Sequence, residues 1–182
     1  MENLNSTANL SAVLSVLEDM KNAGIVEKYA IGGAFAAILH YEPISTIDLD
    51  IFFFLREKND SPILNLNAIY DYAAQRGFSF DHEFINIQGW LVQFVEASHS
   101  SLWTEAIENA DTMRIEEFTV PVIDKEHLVA MWLPAGRAKD YQKIAMFCEA
   151  GFLDETRLLD ILARHDLMSK WTKEKWRFTS ED

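Results

Sequence analysis

Between Leu10 and Met20, apolar residues return every three or four positions, at Leu10, Val13, Leu14, Leu17 and Met20, which predicts an amphipathic helix ending near Gly24. Tyr29-Ala30-Ile31 reads as a short strand running into Gly32-Gly33, and the small apolar run "AFAAILHY" as a buried helix. Pro43 stops that helix, because proline disfavours helical backbone at the residue before it. The β-branched and aromatic run "TIDLDIFFFL" predicts a strand with Asp48 and Asp50 on one face and Ile47, Leu49 and Ile51 on the other. Leu66, Ile69, Tyr70 and Ala73 resume helical spacing up to a stop at Gly77, and "FSFDHEFINIQGWLVQFVEA" follows as strands, the last two joined in a hairpin at Gln88-Gly89. Ser100 or Ser101 caps a short helix through Ile107, and "TMRIEEFTVPVI" gives two further strands.

Past Val122 the period is helical throughout. Asp124 caps a helix carrying Leu128, Val129 and Trp132, and three more helical stretches lie between Asp140 and Arg177, capped or broken at Gly151, Asp154 and Asp166. This order of elements implies an α+β fold, with residues 1–135 forming a mixed-sheet domain and residues 136–182 a helical extension packed on it.

Composition narrows the class. A chain of 182 residues, 49% apolar, can bury a full core. It has no apolar run of membrane-spanning length and no basic-then-apolar leader, so a cytoplasmic protein without a membrane partner is expected. Cys148 has no second cysteine to pair with and reads as a small buried hydrophobe, and the five histidines lack the spacing of a zinc site. The net charge of -13 is carried by residues 1–135, which hold 20 acids and 7 bases, whereas residues 136–182 hold 9 of each. Such a surface repels naked nucleic acid. Lys170, Lys173, Lys175 and Arg177 form the one basic stretch, which reads as a solvated helix end.

Two acids remain unexplained by packing. On a strand, Asp48 and Asp50 lie about 7 Å apart on one face, an unfavourable pairing unless a cation or solvent meets it. Mg²⁺ shared with the phosphates of a nucleotide would meet it through hard oxygen ligands. Gly32-Gly33, between strand and helix, would let backbone amides approach the same anion. Taken singly, the acids fit a solvated strand edge and the glycines a tight turn; their order along the chain is what joins them.

The stretch "AIGGAFAAILHYEPISTIDLDIFF" resembles the signature of the DNA-polymerase-beta-like nucleotidyltransferase superfamily, in which a Gly-Gly or Gly-Ser turn precedes a helix and an Asp-x-Asp strand. Within it, "LVAMWLPAGRAKDYQKIAMF" is most similar to the bacterial minimal nucleotidyltransferases, which include the toxins of type IV toxin–antitoxin systems, and the resemblance runs from about residue 9 to 150. It implies a mixed sheet flanked by helices and Mg²⁺-dependent transfer of a nucleoside monophosphate from an NTP to a hydroxyl acceptor. Asp48 and Asp50 would be the catalytic, metal-holding pair, and Gly32, Gly33, Arg137, Lys139 and Asp140 would bind the nucleotide.

The chain departs from this pattern twice. Gln93 stands where the superfamily has a third carboxylate, and an amide can be neither general base nor anionic ligand. Glu96 is the nearest acid on that strand but alternates to the other face, and Asp81 and Glu83 lie earlier in the sheet. Trp132 stands where the group usually has lysine, and reads as core packing beside Leu128 and Val129. Two functions therefore compete: an active nucleotidyltransferase, and a catalytically degenerate relative that binds a nucleotide or a protein partner. A third, an interaction module with a merely solvated Asp pair, needs no family at all. Acidity favours a small cationic acceptor such as an aminoglycoside over RNA.

Overall fold

Seven strands form one mixed sheet in the computed structural model, which describes residues 9–41, 46, 48–55 and 66–178. They are β1 (Val26–Ile31), β2 (Asp48–Leu55), β3 (Ser79–Asp81), β4 (Phe84–Ile87), β5 (Trp90–Glu96), β6 (Asp111–Ile115) and β7 (Phe118–Val122), in the order β3-β4-β5-β2-β1-β7-β6. β2 lies at the centre, antiparallel to β1 and parallel to β5. Its alternation divides the molecule. Leu49, Ile51 and Phe53 are fully buried on one face, and Asp48, Asp50 and Phe52 point to the other.

Helix α1 (Leu10–Asn22) covers the first face with Val13, Leu14, Leu17 and Met20, started by Asn9, whose side chain accepts from the Ala12 amide at 3.1 Å. Tyr29, opposite Phe53 in the β1–β2 ladder, donates its hydroxyl to Glu18 of α1 at 3.1 Å. Helix α3 (Asn67–Gln75) sits beside α1, tied by Arg76 to Asp19 at 3.1 Å. The second face carries α2 (Gly33–His40), α4 (Ser101–Glu108) and α5 (Lys125–Ala135); Trp103 of α4 packs edge-on against Phe52, and His40 of α2 meets the Ile123 carbonyl at 2.8 Å.

The C-terminal helices α6 (Ala138–Glu149), α7 (Glu155–Arg164) and α8 (Met168–Glu174) follow, ending in a 3-10 turn at Lys175–Arg177. α7 is held by a polar junction as well as by Leu158, Ile161 and Leu162. Asp124 accepts from the His127 amide at 2.9 Å, from His127 Nδ1 at 2.7 Å and from Arg157 at 2.6 Å. Glu105 takes His165 at 2.8 Å, His127 at 3.3 Å and Arg164, while Glu126 accepts from the Asp154 amide at 2.8 Å. Every one of these buried or half-buried acids thus meets a donor from α5, α7 or the loop before α7, as burial of charge requires.

The expected α+β architecture and its strand order along the chain are observed. β1 begins at Val26, before the expected Tyr29, because an irregularity between Val26 and Lys28 interrupts its alternation and leaves Glu27 and Lys28 exposed. The cap of α4 is Ser100, whose hydroxyl accepts from the Trp103 amide at 3.3 Å. The helix stop at Pro43 and the facing of Ile47 lie outside the described residues.

Candidate functional site

The two aspartates open β2. Thr46 accepts the Asp48 amide on its hydroxyl at 3.1 Å, which fixes the entry to the strand, and Asp48 is exposed while Asp50 is half-buried. Behind Asp50 lies the glycine turn. Gly33 has φ +61, and a Cβ there would sit 1.7 Å from Asp50 Oδ2, so the carboxylate rests in the space where any other residue would carry its side chain. Gly32 is kept small by Phe52, which a Cβ would meet at 2.5 Å. Its amide donates to the Asp50 carbonyl at 2.9 Å, extending the sheet ladder. The amides left to face an anion at this turn are those of Gly33 and the first turn of α2, where the helix dipole is positive.

Beside Asp50 in the sheet stands Gln93. The parallel β2–β5 register pairs the two directly, so Gln93 shares the aspartate's face. Glu96 pairs with Phe53 and so belongs to the opposite face, where it accepts from the Ser98 amide at 3.0 Å. Asp81 lies in the same row as Asp50 but three strands away, through Phe84 and Gln93, which is about 14 Å at the usual strand spacing. Glu83 sits in the β3–β4 turn beyond it. Among the described residues no group of three or more His, Cys, Asp or Glu side chains is arranged to hold a metal ion. Among the described residues the sheet row at the site therefore presents two carboxylates and a neutral amide.

Its cations come from the start of α6. Gly136, at φ +63, ends α5, and Arg137 takes the N-cap position of the next helix. Asp140, fully buried, grips the Arg137 guanidinium with both oxygens, at 2.6 and 3.1 Å, while most of the Arg137 side chain stays in solvent. Lys139 is exposed on the same turn. Lys143, one turn further on, was not among the residues singled out from the sequence. Its ammonium lies 3.9 Å from Asp140 and 5.0 Å from the centre of the Trp132 ring, with only 13% of its side chain exposed. The spacing Lys139-x-x-x-Lys143 on a helix was the available signal, since residues four apart share a face.

Electrostatics links the two halves. Burial pushes the Asp50 carboxyl above its ordinary value; Lys143 opposes this most strongly, Asp48 adds to it, and Lys139 and Arg137 oppose it in turn. Lys143 is shifted down from the ordinary lysine value by its own burial, against the pull of Asp140. Trp132 is buried, stacked on Phe147 at 5.8 Å, so it packs the core as expected, and the Lys143 ammonium lies over its ring.

No known family matches the chain, and no curated protein does. The solution structure of the antibiotic-resistance factor ANT(2'')-Ia, a nucleotidyltransferase, is similar with a TM-score of 0.54 at 13% identity, over 91% of this chain and 94% of that one. The fold, an α+β arrangement of one mixed sheet flanked by helices, is thus shared with this neighbour. A share of 91% exceeds what residues 9–150 supply, so the structural likeness continues into the C-terminal helices, beyond the stretch that carried the sequence resemblance. No described helix is long and apolar enough to cross a membrane.

The donor set is consistent with one hard divalent cation. Mg²⁺ commonly takes one or two carboxylates and completes its shell with water and substrate phosphates, which Asp48 and Asp50 could satisfy. A pair of metals sharing three carboxylates finds no third acid here among the described residues.

Proposed function

We propose that this protein binds an NTP at the Asp48–Asp50 face and transfers its nucleoside monophosphate to a hydroxyl acceptor. The observation that carries the reading is the convergence on one carboxylate: Asp50 rests against Gly33 from behind and feels the cations of α6 in front. A bound Mg²⁺, held by Asp48 and Asp50, would supply the charge that orients the α-phosphate and offsets the charge built up as the bond to pyrophosphate breaks. Gly33 and the first amides of α2 approach a phosphate without a side chain in the way. Arg137 and Lys139 reach the triphosphate from α6, and Asp140 holds Arg137 in a single orientation. Gly32 serves this turn through the ladder bond to Asp50.

In this reading residues 1–135 form the nucleotidyltransferase-like domain, and residues 136–182 are an extension packed on it that brings the cations. The acceptor is a small cationic molecule, drawn by the excess of acids in residues 1–135; the likeness to an antibiotic-resistance factor supports an aminoglycoside as the first to try. A role as a toxin with a cognate antitoxin, or binding of another protein partner, rests on the sequence resemblance alone.

Gln93 beside Asp50 favours a second reading, in which nucleotide binding persists and transfer has been lost. Loss of general-base help alone typically slows such chemistry by about 10²–10⁴, which leaves slow turnover measurable. Calorimetry with ATP, GTP, CTP and UTP in Mg²⁺, repeated on the Asp48→Asn, Asp50→Asn double variant, tests the site. Binding abolished by the double change supports both readings, and absent or unaltered binding rejects both. Pyrophosphate release with an aminoglycoside acceptor then separates them: the first reading requires it, and the second forbids it.

A further inference from the structure

Lys143 has a feature that its neighbours on α6 lack. Arg137 is already oriented by Asp140 in a two-pronged bond and Lys139 stands in solvent, but the Lys143 ammonium is largely withdrawn from water without a hydrogen bond among the described residues. Within 4 Å it meets one described carboxylate oxygen, Asp140 Oδ1 at 3.9 Å, on a group Arg137 already occupies. A lysine ammonium has three donors, and leaving them unmet away from water is costly. The Trp132 ring, 5.0 Å away, offsets part of that cost through its quadrupole and is itself held by stacking on Phe147. Of the three cations near Asp50, Lys143 acts on it most strongly.

Building on the nucleotide reading above, we infer that Lys143, seated on the Trp132 ring beside Asp140, is the principal protein cation for the polyphosphate part of the nucleotide. The indole of Trp132 on α5 is the platform of a cation supplied by the next helix, α6. The ammonium is shielded from solvent and its donors are not taken up by hydrogen bonds among the described residues, so they are available to a phosphate oxygen. It should therefore contribute to binding in proportion to the phosphates a ligand carries, and little to binding of the nucleoside.

Calorimetry in Mg²⁺ with the tightest of the four NTPs, its monophosphate, and inorganic tripolyphosphate tests this on wild type, Lys143→Met and Lys143→Arg. Methionine keeps the apolar stem, so thermal unfolding should change little, and Trp132→Leu removes the platform while leaving the charge. Lys143→Met should weaken NTP and tripolyphosphate by about tenfold or more, as expected for loss of a charge-assisted bond, and monophosphate by much less. Lys143→Arg should restore most of the NTP affinity, and Trp132→Leu should weaken NTP and tripolyphosphate together. NTP affinity unchanged in Lys143→Met, or reduced equally for triphosphate and monophosphate, overturns the inference while leaving the nucleotide site standing. Wild-type protein that binds none of the NTPs overturns that site and this inference with it.

Discussion

Alanine at Gly33 tests whether the glycine turn exists to seat the Asp50 carboxylate. Two separable costs are expected. The backbone cost comes from φ +61, a left-handed conformation that charges an L side chain about 1–2 kcal/mol. The steric cost comes from a methyl built 1.7 Å from Asp50 Oδ2 and 2.7 Å from its Cγ, which forces the carboxylate or the turn to move at about 1–3 kcal/mol. Together they remove about 2–5 kcal/mol from a total of the usual 5–15 kcal/mol. Gly77 supplies the control, since its φ is +74 and a Cβ there would meet nothing within 4 Å; Gly77→Ala should show the backbone cost alone. Urea unfolding at constant slope measures both variants, and repeating Gly33→Ala in an Asp50→Ala background closes a double-mutant cycle. In that background the Gly33→Ala cost should fall to the Gly77→Ala value. Equal costs for Gly33→Ala and Gly77→Ala with Asp50 present, or a Gly33→Ala cost indifferent to Asp50→Ala, would refute the seating argument.

Gln93→Asp returns a carboxylate next to Asp50 in the β2–β5 register; if the site is an active nucleotidyltransferase lacking its base, pyrophosphate release should rise by about 10²–10⁴, and no rise would show that position 93 does not limit the rate. The α7 junction predicts an acid-labile step. Arg164, above all, holds the Glu105 carboxyl down to about 2 from 4.5, with His165 and His127 helping against the upward push of its burial. Because the folded value lies below the unfolded one, the stabilisation is complete above about pH 4.5 and is lost as pH falls towards about 2. Glu105→Gln should therefore lower the melting temperature at neutral pH and flatten its decline across that window; a decline as steep as in wild type would count against Glu105 as its source.

Periodicity was enough for the elements, and the reason is local. A strand such as β2, with Leu49, Ile51 and Phe53 on one side and acids on the other, declares its facing by alternation alone, and caps such as Asp124 and Asp154 act within three residues. The departures were also local in origin, as in β1, where the irregularity near Lys28 hid the strand's first half from any alternating pattern.

The candidate site divides along the same line. Its glycines and its Asp pair were legible because each is a short run whose spacing on one element fixes its geometry, and its Arg-x-Lys-Asp turn was legible through the family resemblance. The partner of Asp50 was expected as Gln93 through the family resemblance, not from any pattern within its own strand. That Gln93 and not Glu96 stands beside it depends on how β5 registers against β2 across more than forty residues of chain, which no single-strand pattern specifies. Lys143 escaped for the same reason: one lysine among several on an amphipathic helix acquires meaning only when α5 brings the Trp132 ring beneath it and the sheet brings Asp50 before it. Sequence thus determined which groups this protein carries and which element holds each, because propensity and periodicity act over a few residues; the tertiary structure decided which groups meet, because register and packing act between segments that are distant along the chain.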